Sequence, residues 1–316
     1  MEHLAVINPK SFIVKSDMHS VINNFINYFQ VNGTKYKIHI SRYPRDAMVV
    51  VNNYVSKAKE TVRVYSIGGD GILYDCLNGL MGLPNAQLAV VPYGTSNDFV
   101  RAFGEDNWHV FRDINKQATA LTISTAVMVL GNRYALNFCC VGGEAAVVLK
   151  SYAISVDYPN LAKIIGKSLY KAGIVLAFFN KSITNQKYEV FIDGERSEGD
   201  YLGINLGNGP CYGGSMTPFP MASPADGHIE VMTLTSDVSL NLAVKLYNYT
   251  KGRYYNYPDT FQHIRAKEVV IKSDTPMHIN VDGEAYFGSE IKAKIIPDAV
   301  EIVAPDGLSY VRRQKL

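Results

Sequence analysis

The sequence predicts a mostly parallel α/β domain followed by an antiparallel, β-rich domain. Three observations carry this reading. The first third alternates short apolar runs that stop at Gly or Pro turns with segments of helical period. Near residue 120 the pattern changes to many short strand-like segments. The length, 316 residues, gives room for two domains.

Leu4-Ala5-Val6-Ile7 reads as a buried strand ending at Asn8-Pro9. Val21, Ile22, Phe25 and Phe29 recur at helical spacing. Tyr36 to Ile40 alternates like a strand, and Ala47 to Lys59 reads as a helix with Asp46 as N-cap after Pro44. Val62 to Ile67 is a strand that stops at Gly68-Gly69, and Ile72 to Leu80 is helical. Leu88 to Val91 is a strand that stops at Pro92-Tyr93-Gly94, and a short helix starts at Asn97 or Asp98. Strands alternating with helices imply right-handed crossovers and a mostly parallel sheet, whose ligands sit beyond the carboxyl ends of the strands. Asn8-Pro9, Ser41, Gly68 to Gly71 and Gly94 to Asp98 all fall at such ends.

Leu121 to Leu130 and Tyr134 to Val141 are strand-like around Gly131-Asn132-Arg133. Asn160 to Asn180 is helix-like, with an apolar stripe that reads as core. Strand-like segments follow at Tyr188–Ile192, Tyr201–Leu206, Ile229–Leu234, Val269–Ile271, Met277–Val281 and Lys292–Ile296, interrupted by a helix from about Leu240 to Thr250. Such a series suggests a sandwich or barrel, and the chain divides near residue 125. A final hairpin is expected from Val300–Val303 and Leu308–Val311 around Pro305-Asp306-Gly307.

Hydrophobic residues make up 47% and charged residues 19%, a globular balance, and the net charge of +2 gives no case for a nucleic-acid partner. Cys76, Cys139, Cys140 and Cys211 form no CxxC pair and read as buried free thiols of a reducing compartment. No signal-peptide pattern and no apolar run of membrane-spanning length occurs. The expected location is cytoplasmic, with peripheral contact at a membrane surface and a homodimer both left open.

Strand-Gly68-Gly69-Asp70-Gly71-helix is the sharpest local feature. Glycines let the main chain approach a ligand, and the following helix offers free N–H groups and partial positive charge, so phosphate is the expected ligand. Asp70 would repel phosphate without an intervening cation, which implies Mg²⁺. The bland alternative is a tight turn capped by Asp70. Thr95, Ser96, Asn97 and Asp98 are four successive cap-capable residues, where one would cap a helix. Gly207-Asn208-Gly209-Pro210, Tyr212-Gly213-Gly214 and Pro218 to Gly227 make a shaped loop region. Asp282-Gly283 is a hairpin signal, and Glu284 follows it.

This ordered set resembles the diacylglycerol kinase catalytic-domain family, and most closely its bacterial lipid kinase branch. The pieces are Asn8-Pro9; Gly68 to Gly71 with Asn78-Gly79; Pro92 through Gly94-Thr95 to Asn97-Asp98-Phe99 with Arg101; Asn137 with Gly142; Gly207 through Gly214; Pro224 to Gly227; and Val281 to Glu284. The Gly-Gly-Asp-Gly element is shared with NAD kinases, and the Gly-Thr-x-Asn-Asp-Phe element is more specific. The resemblance implies a Rossmann-like nucleotide-binding α/β domain, residues 1–125 with 304–316 returning to it, and a C-terminal β-sandwich domain for the lipid substrate, residues 126–303. It implies ATP as co-substrate between the domains, against Asn8, Pro9, Ser41, Gly68, Gly69, Asp70, Gly71, Thr95 and Asn97. It implies a lipid hydroxyl of diacylglycerol type as acceptor, with Glu284 taking its proton. Asp70 and Asp98 match acidic residues near a catalytic Mg²⁺, and Asp226 matches the side-chain ligand of a second Mg²⁺ held largely by carbonyls, here those of Ser223 and His228.

Several residues depart from the family pattern. Ile72 replaces a threonine after the Gly-rich loop, and Ser11-Phe12 replaces a glycine-ending turn. Ala126 replaces an aspartate, Ser41 a threonine, Glu144 an aspartate and Asp75 a glutamate. They keep a second reading in play: a nucleotide- or lipid-binding protein of the same fold with weak or no turnover. An NAD kinase-like enzyme is a third, opposed by Gly94 to Phe99 and Val281 to Glu284. A Rossmann dehydrogenase is weaker again, since no G-x-G-x-x-G follows the first strand.

Overall fold

The computed structural model describes residues 1–12, 15–104, 106–149, 186–214, 216–235 and 241–311. The expected helix Asn160 to Asn180 lies outside them. The chain packs as two compact units. The first holds Met1–Val127, Ser223–Gly227 and the segment from Ile296 to the last described residue, Val311. The second holds the described parts of Met128–Ala222 and His228–Ile295.

In the first unit, β1 (Glu2–Ile7) lies between β2 (Tyr36–Ile40) and β3 (Val62–Gly68), and β4 (Ala86–Pro92) pairs with β3, all parallel. The last residues of β13 (Glu284–Val303) add to β4 in parallel, with Glu301 opposite Gln87 and Ile302 opposite Leu88. Ala5, Ile7, Tyr65, Ile67, Ala89 and Val91 share a core with Val21, Phe25 and Phe29 of α1 (Lys15–Val31) and Ile114 of α5 (Ile114–Thr119). The alternate residues Leu4, Val64 and Leu88 are also fully buried, so the sheet is covered on both faces. α2 (Asp46–Val55) meets α3 (Asp70–Leu80) at Gly79, where a Cβ would come within 2.5 Å of the Met48 carbonyl.

Two expectations for this unit are corrected. Asp46 does not cap α2. Arg45 holds that position at φ 69°, while the Asp46 carboxylate accepts from the Arg42 N–H and the His39 ring, each at 2.9 Å. Leu308–Val311 forms no hairpin strand. Asp306 turns the chain at φ 55°, and Tyr310 then packs against Phe99 and Phe103 and bonds the Thr125 hydroxyl at 2.7 Å. The aromatic anchor outweighs the apolar alternation that suggested a strand.

The second unit is antiparallel, in the order β11 (Phe261–Ala266), β10 (Ile229–Thr235), β9 (Glu195–Gly207), β7 (Phe138–Gly142), β12 (Glu268–Val281). β8 (Lys187–Ile192) pairs with β9 and β12, and β12 pairs with the first part of β13. β5 (Thr122–Leu130) ends in a hairpin with β6 (Arg133–Ala135). Segments read as separate strands are single long ones, because β12 and β13 bend at a bulge between Lys272 and Met277 instead of stopping. β11 carries no clean alternation and is missed by sequence. The strand expected at Tyr134–Val141 breaks at Leu136-Asn137, where three successive N–H groups turn to the Asp282 carboxylate. α6 (Leu242–Thr250) follows, near its expected bounds. The four cysteines are buried and unbridged. No described helix is long and apolar enough to cross a membrane.

Candidate active site

The strand ends of the first unit build the candidate phosphate site from main chain. Asn8 donates its N–H to the Ile67 carbonyl and Ser41 to the Ile7 carbonyl, so two expected rim residues leave adjacent strands together. Gly68 turns at φ 154°, and its carbonyl accepts from Tyr93 N–H at 2.7 Å and Gly94 N–H at 3.1 Å. Gly94 comes so close that a Cβ there would lie 2.3 Å from the Gly69 Cα. No side chain fits that crossing.

Asp70 joins the two motifs. Its Oδ1 accepts from the Asp98 N–H at 2.8 Å. Burial pushes its carboxyl above the usual range, and N–H groups of Asp98, Asn97, Asp70 itself and Phe99 pull it back. Neither reading of Asp70 from sequence anticipated this clasp. Gly69, not Asp70, occupies the N-cap of α3. Asn97, at φ 50°, closes its own loop: its Oδ1 accepts from Gly94 N–H and its Nδ2 donates to the Gly94 carbonyl. Asp98 is buried and faces Arg101 at 3.8 Å, ahead of a 3-10 turn over Phe99–Phe103. Thr95 is exposed, and among the described residues its hydroxyl makes no hydrogen bond.

The departures have visible effects. The Ile72 side chain is buried, and its Cγ2 would lie 2.8 Å from a Cβ on Gly68. Phe12 stacks on Tyr93 at 4.8 Å. The Arg112 guanidinium covers Tyr93 at 4.4 Å, lies over Trp108 of α4 (Trp108–Phe111) at 4.3 Å, and donates from Nε to the Pro92 carbonyl at 2.6 Å. This column of four braces the turn after β4. Arg45 pairs with Asp75 of α3 at 2.6 Å. Sequence missed Arg45, Trp108 and Arg112, because nothing along the chain marks a cation–aromatic contact. Ala126 N–H donates to the Pro224 carbonyl at 2.7 Å, a main-chain contact that needs no side chain.

Of the residues expected to hold the second cation, Ser223 and Asp226 belong to the first unit and His228 to the second. The Asp226 N–H donates to the Ser223 carbonyl at 3.1 Å, making a tight turn. One carboxylate with main-chain carbonyls is an oxygen donor set of the kind hard divalent cations take. Among the described residues no three His, Cys, Asp or Glu side chains gather.

In the second unit, Glu284 opens β13 after Asp282 (φ 45°) and Gly283 (φ 94°), the left-handed pair of a two-residue hairpin. The Asp282 carboxylate accepts from Leu136 N–H at 2.7 Å, Phe138 N–H at 2.8 Å and Asn137 N–H at 3.2 Å. The Asn137 carbonyl accepts from Asn208 and Gly209. A Cβ on Gly209 would lie 2.3 Å from Asn137 Oδ1. Three segments singled out from sequence therefore meet around the turn that carries Glu284.

Beside this knot is a cavity of about 50 Å³ that sequence did not reveal. Val147, Leu202, Met216, Leu234 and Leu246 form apolar walls, and Glu144, Asn205 and Tyr249 also line it. Asn205 Nδ2 donates to Glu144 Oε2 and to the Tyr249 hydroxyl, each at 2.6 Å. The Tyr249 and Tyr212 hydroxyls are 2.7 Å apart. Burial and the Glu144 charge push the Tyr249 hydroxyl well above its usual range. Asn205 is fully buried and its Oδ1 has no hydrogen-bond partner. Tyr212, from the Gly-rich loop, is buried and stacks on Phe138 at 4.2 Å.

Residues 2–129 match the diacylglycerol kinase catalytic domain, and residues 156–304 match the YegS C-terminal NAD kinase beta sandwich-like domain. A Staphylococcus aureus (strain JH9) protein provisionally named a lipid kinase is 26% identical over 254 residues, covering 79% of this chain and 80% of that protein. Two Bacillus anthracis structures provisionally named diacylglycerol kinases share the fold. One has TM-score 0.73 at 21% identity, covering 96% of this chain and 97% of the other. The second has TM-score 0.74 at 20% identity, covering 98% of both. With both successive domains matched in order, the chain belongs to the diacylglycerol kinase catalytic-domain family, in its bacterial lipid kinase branch.

Proposed function

We propose that this protein is a lipid kinase that transfers the γ-phosphoryl group of ATP to a lipid hydroxyl of diacylglycerol type. The observation that carries the reading is the Asp70 clasp, which fixes two glycine loops in one main-chain cradle at the strand ends. Phosphoryl transfer depends on positioning and charge neutralisation more than on covalent chemistry. Gly68 to Gly71, Asn8, Pro9, Ser41, Thr95 and Asn97 bound the triphosphate, with free N–H groups at the start of α3 directed to it. Glu284 accepts the acceptor hydroxyl's proton, a contribution of about 10²–10⁴-fold. Mg²⁺ would be held by Asp98 at the phosphates, with Asp70 positioning the Asp98 loop, and by Asp226 with carbonyls of Ser223 and His228; when bound it supplies charge neutralisation on the phosphoryl oxygens. The apolar walls of the second unit's cavity, at about 50 Å³, offer a contact for a small part of an acceptor's alkyl portion.

A second reading is a nucleotide- or lipid-binding protein of this fold with little turnover. Ile72 favours it, since a buried aliphatic group stands where the family has a hydroxyl beside the phosphate loop. The test is transfer of label from γ-labelled ATP, with Mg²⁺, to a panel of lipids in mixed micelles, with Glu284→Ala and Asp98→Ala alongside. Label on one lipid, lost in both variants, establishes the kinase and names its acceptor. ATP binding without transfer to any lipid establishes the second reading.

A further inference from the structure

Residues 241–259 contain five tyrosines, Lys245, Lys251 and Arg253, and a single acid, the exposed Asp259. The structure gives this segment two faces. Leu246, Tyr249 and Thr250 of α6 line the cavity. Val244 and Tyr247 point away from it, 55% and 62% exposed, and Tyr255 just beyond the helix is 49% exposed. At the helix end, Gly252 fits so tightly that a Cβ would come within 2.8 Å of Pro220, and the next residue, Met221, is also exposed. Lys245 donates to the Thr260 hydroxyl at 2.8 Å. Lys251 and Arg253 are exposed, and among the described residues neither is in an ion pair.

We propose that this face docks on an anionic lipid bilayer, with α6 lying in the plane of the interface. Exposed tyrosines suit the headgroup level, where one end of the ring is wet and the other apolar. The excess of cations, Lys245, Lys251 and Arg253 against Asp259, matches the negative surface of such a bilayer. The net positive charge of the segment favours an anionic surface over a protein partner of balanced charge. The inner side of the same helix walls the cavity, so docking brings the acceptor's source and its pocket to opposite sides of one helix. The inference rests on the lipid-acceptor reading and assigns its delivery surface.

The experiment is co-sedimentation of the full chain with phosphatidylcholine vesicles and with vesicles of phosphatidylcholine and phosphatidylglycerol at about three to one. Anionic vesicles should bind at least about ten-fold tighter. Lys251→Glu/Arg253→Glu should abolish that preference, since each basic residue near a charged surface contributes about five-fold. Val244→Ser/Tyr247→Ser should weaken binding to both vesicles while leaving the melting temperature and transfer to a monomeric short-chain lipid unchanged. Equal binding to the two vesicles, or charge-reversed protein that binds like the wild type, overturns the proposal. So does a homodimer that Val244→Ser/Tyr247→Ser dissolves in the absence of vesicle binding, which assigns the face to a second copy. Transfer to micellar lipid without vesicle binding defeats docking alone. Vesicle binding without transfer to any lipid defeats the kinase reading and leaves docking standing.

Discussion

The candidate phosphate cradle of the first unit and the cavity of the second are built from different materials. The cradle is main chain: the Gly68 carbonyl, the N–H groups of Asn97 to Phe99, and a Gly69–Gly94 crossing with no space for a side chain. The cavity is side chain: Glu144, Asn205 and Tyr249 line it from segments far apart, and Tyr212 bonds Tyr249 behind them. A main-chain site tolerates few substitutions and leaves a sequence signature. A side-chain site can change its ligand by exchanging one residue and leaves little trace. A kinase with a fixed donor and a variable acceptor needs both kinds.

The sharpest way to break this comparison is Gly94→Ala. The added Cβ meets the Gly69 Cα, so the loops must part, and nucleotide affinity should fall about 100-fold or more, the scale of an ångström-level misplacement. Calorimetric titration with an ATP analogue checks it, and wild-type affinity would show that the crossing is incidental.

Asn205→Leu tests the other side. It removes the Asn205 Nδ2 hydrogen bonds to Glu144 Oε2 and to the Tyr249 hydroxyl, at a cost of about 2 kcal/mol in urea unfolding. Nucleotide affinity should not move. If it does, the two sites are not separable.

His3 sharpens the comparison through pH. Burial first, and the charge of Arg63 second, hold its ring at about 4, and Nδ1 faces the Tyr65 hydroxyl at 2.9 Å. The folded pKa lies below the unfolded value of about 6.5, so protonation favours unfolding as pH falls between them. Stability of the first unit should drop by about 2 kcal/mol from pH 7 to pH 5, and His3→Phe should remove that slope.

The smallest expected effect belongs to Arg112→Ala. Losing the cation between Tyr93 and Trp108 should cost about 1 kcal/mol. Because the loop after β4 is freed, the Michaelis constant for ATP should rise a few-fold while that for lipid holds. Arg112→Lys should recover part of the change.

Much of the first unit was legible because its strands stop at glycine or proline and its helices keep a clean period. Gly68 to Gly71 and Gly94 to Asp98 could be placed on strand ends from sequence alone. That Asp70 would spend its carboxylate on the second loop could not, since both a cation and a cap were equally good partners for it. In the second unit, Asp282-Gly283 announced the turn before Glu284. The reach of Asp282 to Leu136, Asn137 and Phe138 was invisible, because it spans nearly half the chain. Asn205 looked like any polar residue in an alternating strand. Only the pairing of β9 with β7 and β10 puts it beside Glu144 and Tyr249.

Trp108 is the sole tryptophan of the chain, and a guanidinium lies on its face. The indole is thus wired optically to the loop after β4 through Arg112, which also grips the Pro92 carbonyl. Any ligand that shifts Tyr93 changes the field at that chromophore, so intrinsic emission reports on the donor loop without a label. With excitation selective for indole, a single cuvette separates donor-loop events from everything that happens among the tyrosines of α6.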